Sequence, residues 1–149
     1  MIRPAHAADL AAIESIVERA YGVYVERIGM RPGPMNADYA EKVRLGLVDV
    51  AEDEGEDEVV GLIVLVEAPD HLLLENVAVA PERQGEGIGR AMLDRAEVAA
   101  REAGFDEIRL FTHSKMTENR AFYRRLGYRE TGRRDEEGFD RVFLVKSLS

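Results

Sequence analysis

The spacing of apolar positions divides the chain into apolar runs and helical stripes. Ile2 to Pro4 predicts a short first strand, and Asp9 then stands where a helix cap belongs. Leu10, Ile13, Val17, Ala20 with Tyr21, and Tyr24 recur at three- and four-residue steps, the pattern of one buried helical face. Gly29-Met30-Arg31-Pro32-Gly33-Pro34-Met35 breaks that helix, and a short second helix is predicted from near Asn36 through Tyr39 and Val43. Leu45–Ala51 and Val59–Val66 read as two strands around the acidic run Glu52–Glu58, which suits a solvated hairpin turn. A calcium loop would need spaced oxygen ligands ending in a bidentate acid, and this compact run lacks them.

Leu72 to Val79 is a third apolar strand, ended by Pro81. Gly87 to Ala103 reads as a long helix closed by Gly104. Glu107 to Thr112 is predicted as a strand, Thr117 to Leu126 as a helix, and the tail as a hairpin around Asp135–Gly138. The order is mixed α/β, with strand–helix–strand units late in the chain. No repeat, low-complexity tract or Ser/Gly linker interrupts it, so one domain over 1–149 is expected.

Composition narrows the functional classes. A chain of 149 residues buries roughly 68–70% of its unfolded surface, enough for its own core. Hydrophobic residues at 46% and charged residues at 33% fit a folded, soluble protein. The absence of cysteine excludes disulfides, thiolate metal sites and a cysteine nucleophile. Twenty Lys and Arg against 29 Asp and Glu give a net charge of −9, which argues against a nucleic-acid partner. The longest apolar stretches, Val59–Val66 and Leu72–Ala80, fall short of the ~20 residues of a membrane span, and the opening residues lack a signal-peptide core. No membrane partner is expected, and the cytoplasm is the expected address. His6, His71 and His113 are scattered without ligand spacing, so no metal is expected.

The densest chemical signal is Gln84-Gly85-Glu86-Gly87-Ile88-Gly89-Arg90, after a strand and opening a helix. Glycines at alternate positions let backbone N–H groups approach an anion, and the helix N-terminus favours negative charge. A phosphate or pyrophosphate ligand is the physical expectation. A P-loop would need a lysine after the glycines, and the dinucleotide fingerprint needs G-x-G-x-x-G where this loop reads G-x-G-x-G. Both fit badly.

The loop instead resembles the acetyl-CoA motif [QR]-x-x-G-x-[GA] of the GNAT superfamily of N-acetyltransferases. Downstream, Asn119 followed by Tyr123-Arg124-Arg125-Leu126-Gly127-Tyr128 is similar to that family's second signature. Asn119 and Tyr123 are four apart and share one helix face. The opening Ile-Arg-Pro-Ala…Asp-Leu and the closing strand Phe139 to Leu148 also look like the family's ends, and the likeness is weakest from Gly22 to Val50.

The resemblance implies a six- or seven-stranded, mostly antiparallel twisted sheet with splayed central strands and helices on both faces. It implies acetyl-CoA as co-substrate. The backbone of Val77 and Val79 would hold pantetheine, the Gln84–Arg90 amides (Gln84, Gly85, Gly87, Ile88, Gly89, Arg90) the pyrophosphate, and Asn119 the pantetheine arm. Tyr123 would be the general acid toward the departing thiolate, unless its ring only packs in the core. Glu75, a carboxylate within an apolar strand, is the candidate base, because burial would raise its pKa. It would otherwise bind substrate or pair with an arginine such as Arg109. An amine acceptor would meet Tyr24 and Tyr39, unless the two rings only pack in the core, and a homodimer through the last strands, common in the family, would suit this chain. Glu86 departs from the Lys or Arg common beside the pyrophosphate. The rival functions are a non-catalytic acetyl-CoA-binding sensor or subunit, and an enzyme whose base is water.

Overall fold

In the computed structural model, which describes residues 1–148, the elements are β1 (Ile2–Pro4), α1 (Leu10–Ile28), α2 (Tyr39–Arg44), β2 (Val48–Asp53), β3 (Glu58–Glu67), β4 (Leu72–Val79), α3 (Ile88–Glu102), β5 (Glu107–His113), α4 (Thr117–Arg125), β6 (Arg129–Glu136) and β7 (Phe139–Ser147). The strands form one sheet in the order β1-β2-β3-β4-β5-β7-β6. Its neighbours are antiparallel except β4 and β5, which run parallel. This is the mostly antiparallel sheet of six or seven strands that the resemblance implies.

Each face carries its own core. Met92, Leu93, Ala96 and Ala100 of α3 and Tyr123 of α4 pack with Ile63, Leu72, Leu74, Ile108 and Leu110. Ile13, Ile16, Val17, Tyr21 and Tyr24 of α1 and Tyr39 of α2 pack with Val48, Val50, Leu62, Val64 and Ala78 on the other face. The hydrophobic period of three to four residues in the helices and of two in the strands produces this division.

Three local expectations are corrected. The Asp9 side chain does not cap α1. Its carboxylate turns back to accept the His6 N–H at 2.9 Å and two guanidinium bonds from Arg3 at 2.9 and 3.0 Å. The Arg3 hydrogen bonds hold its carboxyl below the usual range, against the opposing effect of burial. Helix α2 starts at Tyr39, not near Asn36, because Asp38 is the residue whose side chain accepts the Glu41 N–H, at 3.1 Å. Strand β2 starts at Val48, not Leu45, because Leu45 and Gly46 still close α2, Gly46 with φ +74°.

Two features of β4 prepare the site. It pairs with β5 only at Leu72↔Ile108 and Leu73↔Arg109, and beyond those pairs the strands part. Against β3 the register shifts between Val64 and Leu65, so that Glu75 has no opposite residue. A bulge bends its strand and places two consecutive side chains on the same face. Before it, Leu72 and Leu74 pack on the α3 side; after it, Ala78 packs on the α1 side. Glu75 and Asn76 consequently both reach toward α1 and α2, where they bond Lys42, Tyr21 and Tyr39.

Candidate functional site

The gap beside β4 opens into a cleft of about 420 Å³. Val77, Val79, Gln84, Gly85, Gly87, Ile88, Gly89, Arg90 and Asn119 all line it, so the residues expected to hold the cofactor are brought together. Gly85 and Gly87 have φ of +87° and +86°, the left-handed region where a side chain would be strained. Gly87 is also the N-cap of α3 and offers no side chain to the first helical amides. Ile88, Gly89 and Arg90 of that first turn line the cleft, where free amides and the positive end of the helix dipole suit a phosphate-type anion. At Gly89 a Cβ would stand 3.2 Å from the Phe122 ring, so glycine lets α3 and α4 approach closely there.

Glu86 does not line this cleft. Its carboxylate is held by Arg83 at 3.0 Å, and Arg83 also bonds Asp53 of the acidic hairpin at 2.8 Å. The negative charge that stands beside the loop in the sequence is thus tied back in an ion-pair chain.

A second cavity, of about 260 Å³, lies on the α1–α2 side and includes Tyr39, Lys42, Glu75, Asn76, Phe111, His113, Phe139 and Arg141 in its wall. The two cavities share three residues: Tyr21, Asn119 and Tyr123. Tyr123 is 4% exposed, and burial pushes its phenol well above the usual tyrosine range, so it keeps its proton at neutral pH. A phenol that keeps its proton at a junction of two cavities can donate a hydrogen bond to a group seated in either.

Glu75 is not the isolated carboxylate of an apolar strand. It is half-buried and accepts a bond from Lys42 at 2.6 Å. The alternative pairing with Arg109 does not form, since Arg109 bonds Glu107 at 3.1 Å and faces Asp70. Of the two tyrosines expected at the acceptor, Tyr39 lines the second cavity and Tyr24 the first. Tyr24 is packed under the Arg27 guanidinium, 5.1 Å from its ring centre.

Sequence reasoning passed over the hub of the site. Asn76 is buried, accepts a bond from the Tyr21 hydroxyl and donates to the Tyr39 hydroxyl at 2.8 Å. Tyr39 donates onward to the Pro34 carbonyl at 2.6 Å, while Tyr21 also donates to the Val77 carbonyl at 3.1 Å. An asparagine inside an apolar strand was the available signal, because a buried amide demands partners.

Strands that part beside an amide-lined turn, with a protonated phenol between two cavities, define a scaffold for group transfer between two bound molecules. A family model described as "Acetyltransferase (GNAT) domain" matches residues 45–130, and the chain belongs to that family. N-acetyltransferase family 8 member 3 of Rattus norvegicus is 36% identical over 89 residues, which span 56% of this chain and 38% of that protein. N-alpha-acetyltransferase 80 of Mus musculus is 38% identical over 64 residues, 43% of this chain and 19% of that one. The matched regions thus span less than half the length of these relatives. In fold, the chain superimposes on the PaiA N-acetyltransferase of Thermoplasma acidophilum, solved in complex with coenzyme A, with a TM-score of 0.82 at 18% identity, over 99% of this chain and 98% of that one. Naa20 of Chaetomium thermophilum, in complex with a bisubstrate analogue, gives a TM-score of 0.74 at 23% identity, covering 99% and 86%. Among the described residues no helix is long and apolar enough to cross a membrane.

Proposed function

We propose that the protein transfers the acetyl group of acetyl-CoA to a primary amine by direct attack, the cofactor entering the β4 cleft and the amine the opposite cavity. The observation that carries this reading is the meeting of the two cavities at Tyr21, Asn119 and Tyr123. A donor on one side and an acceptor on the other come together there. The Thermoplasma neighbour in fold was solved with coenzyme A and the Chaetomium one with a bisubstrate analogue, which supports a reading with two bound molecules.

Acetyl-CoA supplies an activated thioester when bound. The chain's own groups supply the rest. Past Leu73, β4 has no partner on the β5 side, so the Val77 and Val79 backbone is free to pair with an extended ligand arm. Ile88, Gly89 and Arg90 present amides to a pyrophosphate, and Asn119 holds the pantetheine arm from the α4 face it shares with Tyr123. The backbone N–H near Val77 is assigned to the developing oxyanion, on a stretch of β4 that Tyr21 steadies through its bond to the Val77 carbonyl. Tyr123 gives its proton to the departing sulfur. Glu75, steadied by Lys42, removes a proton from the incoming ammonium. With no cysteine in the chain, no enzyme thioester intervenes.

The test is thiol release from acetyl-CoA in the presence of amines. Tyr123→Phe should lower kcat about 100-fold while CoA affinity persists, and an unchanged kcat would make that tyrosine structural. Glu75→Gln should lower kcat about 100-fold while CoA affinity persists; an unchanged kcat assigns the base to water. Binding of CoA without thiol release from any amine would favour the sensor or subunit reading.

A further inference from the structure

The acceptor cavity holds a cation that acetyl transfer does not use. Lys42, Glu75, His113 and Arg141 are the ionisable basic and acidic groups in its wall. Lys42 and Glu75 neutralise one another at 2.6 Å. Burial pushes the His113 imidazole down, leaving it uncharged at neutral pH. Arg141 remains. Among the described residues its one carboxylate contact is a 3.4 Å bond to Glu136 across the β6–β7 hairpin, and Glu136 is not part of the cavity wall.

The guanidinium is also held in place. It lies 4.5 Å from the centre of the Phe111 ring and 5.6 Å from that of Phe139, both cavity residues. Stacking fixes the plane of the guanidinium and leaves its edge donors available, and the single bond to Glu136 uses one of several. Apolar rings around it reduce solvent screening of its charge. In the β5–β7 register Arg141 stands opposite His113, at the end of β5 that has parted from β4. Glu75, the group assigned to the amine, is on β4. The cavity therefore offers a carboxylate from one strand and a guanidinium from beyond the gap.

We propose that the acceptor is an amine that also carries a carboxylate, with Arg141 binding the carboxylate and Glu75 receiving the ammonium. This rests on the acetyl-transfer reading. With Lys42 paired inside the wall, Arg141 is the cavity's one cation whose acid partner, Glu136, lies outside it, and a single such charge matches a monoanion, which selects a carboxylate over a dianionic phosphate ester. The planar fork of arginine pairs with a carboxylate through two parallel hydrogen bonds. Phe111 and Phe139 flank that subsite and favour an acceptor with an apolar body.

The experiment compares acids with their own carboxamides at three amine-to-carboxylate separations: L-methionine, β-phenylalanine and 4-(aminomethyl)benzoate, with benzylamine as a fourth acceptor. Thiol release is followed for the intact protein. The expected result is a kcat/KM preference of about tenfold or more for at least one acid over its carboxamide, the scale of one charge-assisted bidentate pair. In Arg141→Gln that ratio should fall to near one through a higher KM for the acid, and Arg141→Lys should recover part of it. Coenzyme A binding by calorimetry reports that the variants are folded. Carboxamides or benzylamine preferred over every acid in the unaltered protein, or an acid preference that survives Arg141→Gln, would overturn the carboxylate subsite and leave acetyl transfer standing. Absence of thiol release with any of these amines or a wider amine set, while CoA binds, would overturn the transfer reading itself.

Discussion

Replacing Asn76 with alanine probes the hub that joins β4 to both helices of the acceptor side. Asn76 is 5% exposed and links the Tyr21 and Tyr39 hydroxyls. In the variant, Tyr21 falls back on the Val77 carbonyl at 3.1 Å, and Tyr39 keeps the Pro34 carbonyl at 2.6 Å. Neither hydroxyl is stranded. The loss is therefore two neutral hydrogen bonds at about 1 kcal/mol each plus a small void, about 2–3 kcal/mol together. For a domain of this size that lowers the thermal midpoint by roughly 5–10 °C. Circular dichroism melts and urea titrations at neutral pH measure it. Tyr39→Phe removes one of the same bonds, so the double variant should be about 1 kcal/mol less destabilised than the sum of the singles. Because the network holds the Pro34 turn that walls the acceptor cavity, acceptor KM should rise while CoA affinity stays. Additive effects, or lost CoA affinity with unchanged acceptor KM, would refute the reasoning.

Asp9→Asn removes the charge that Arg3 grips, and should cost about 1–3 kcal/mol at neutral pH. Asp9 has a folded pKa below its unfolded value, so its stabilisation is present above the ordinary aspartate pKa and fades as pH falls through the folded one. Urea titrations of both proteins should therefore converge in strong acid, and a constant difference across pH would contradict the Arg3 pairing. At Gly61 a Cβ would stand 2.9 Å from Met92 Cε and 3.1 Å from the Ala78 carbonyl, so Gly61→Val should overpack the β3–α3 contact by about 2–3 kcal/mol. An unchanged melting midpoint would show that α3 can shift away.

The sequence was most legible where a local rule decides the outcome. The three- to four-residue stripe from Leu10 to Tyr24, the apolar run Leu72–Val79 and the glycines of Gln84–Gly89 produce α1, β4 and the turn into α3 at the expected places. The residues expected to meet the cofactor line one cleft because a strand, a turn and a helix N-terminus are consecutive in the chain. What depends on pairing between distant segments was not legible. The bulge at Glu75 exists only in register with β3, and it alone puts Glu75 and Asn76 on one face. Lys42 as the partner of Glu75, and Tyr21 as a wall of both cavities, follow from how α1 and α2 cross that face. Glu86 looked adverse beside the loop because nothing local reveals Arg83 bridging it to Asp53.

The most direct test of the account is a calorimetric titration of the protein with acetyl-CoA, repeated with coenzyme A and with ATP. The account predicts micromolar binding of both CoA compounds, about −8 kcal/mol, and much weaker binding of ATP. It also predicts that the CoA compounds raise the melting midpoint. Equal affinity for ATP would mean that the cleft reads phosphate without the pantetheine arm along β4. No heat and no stabilisation with any of the three would contradict the assignment of the Gln84–Arg90 loop.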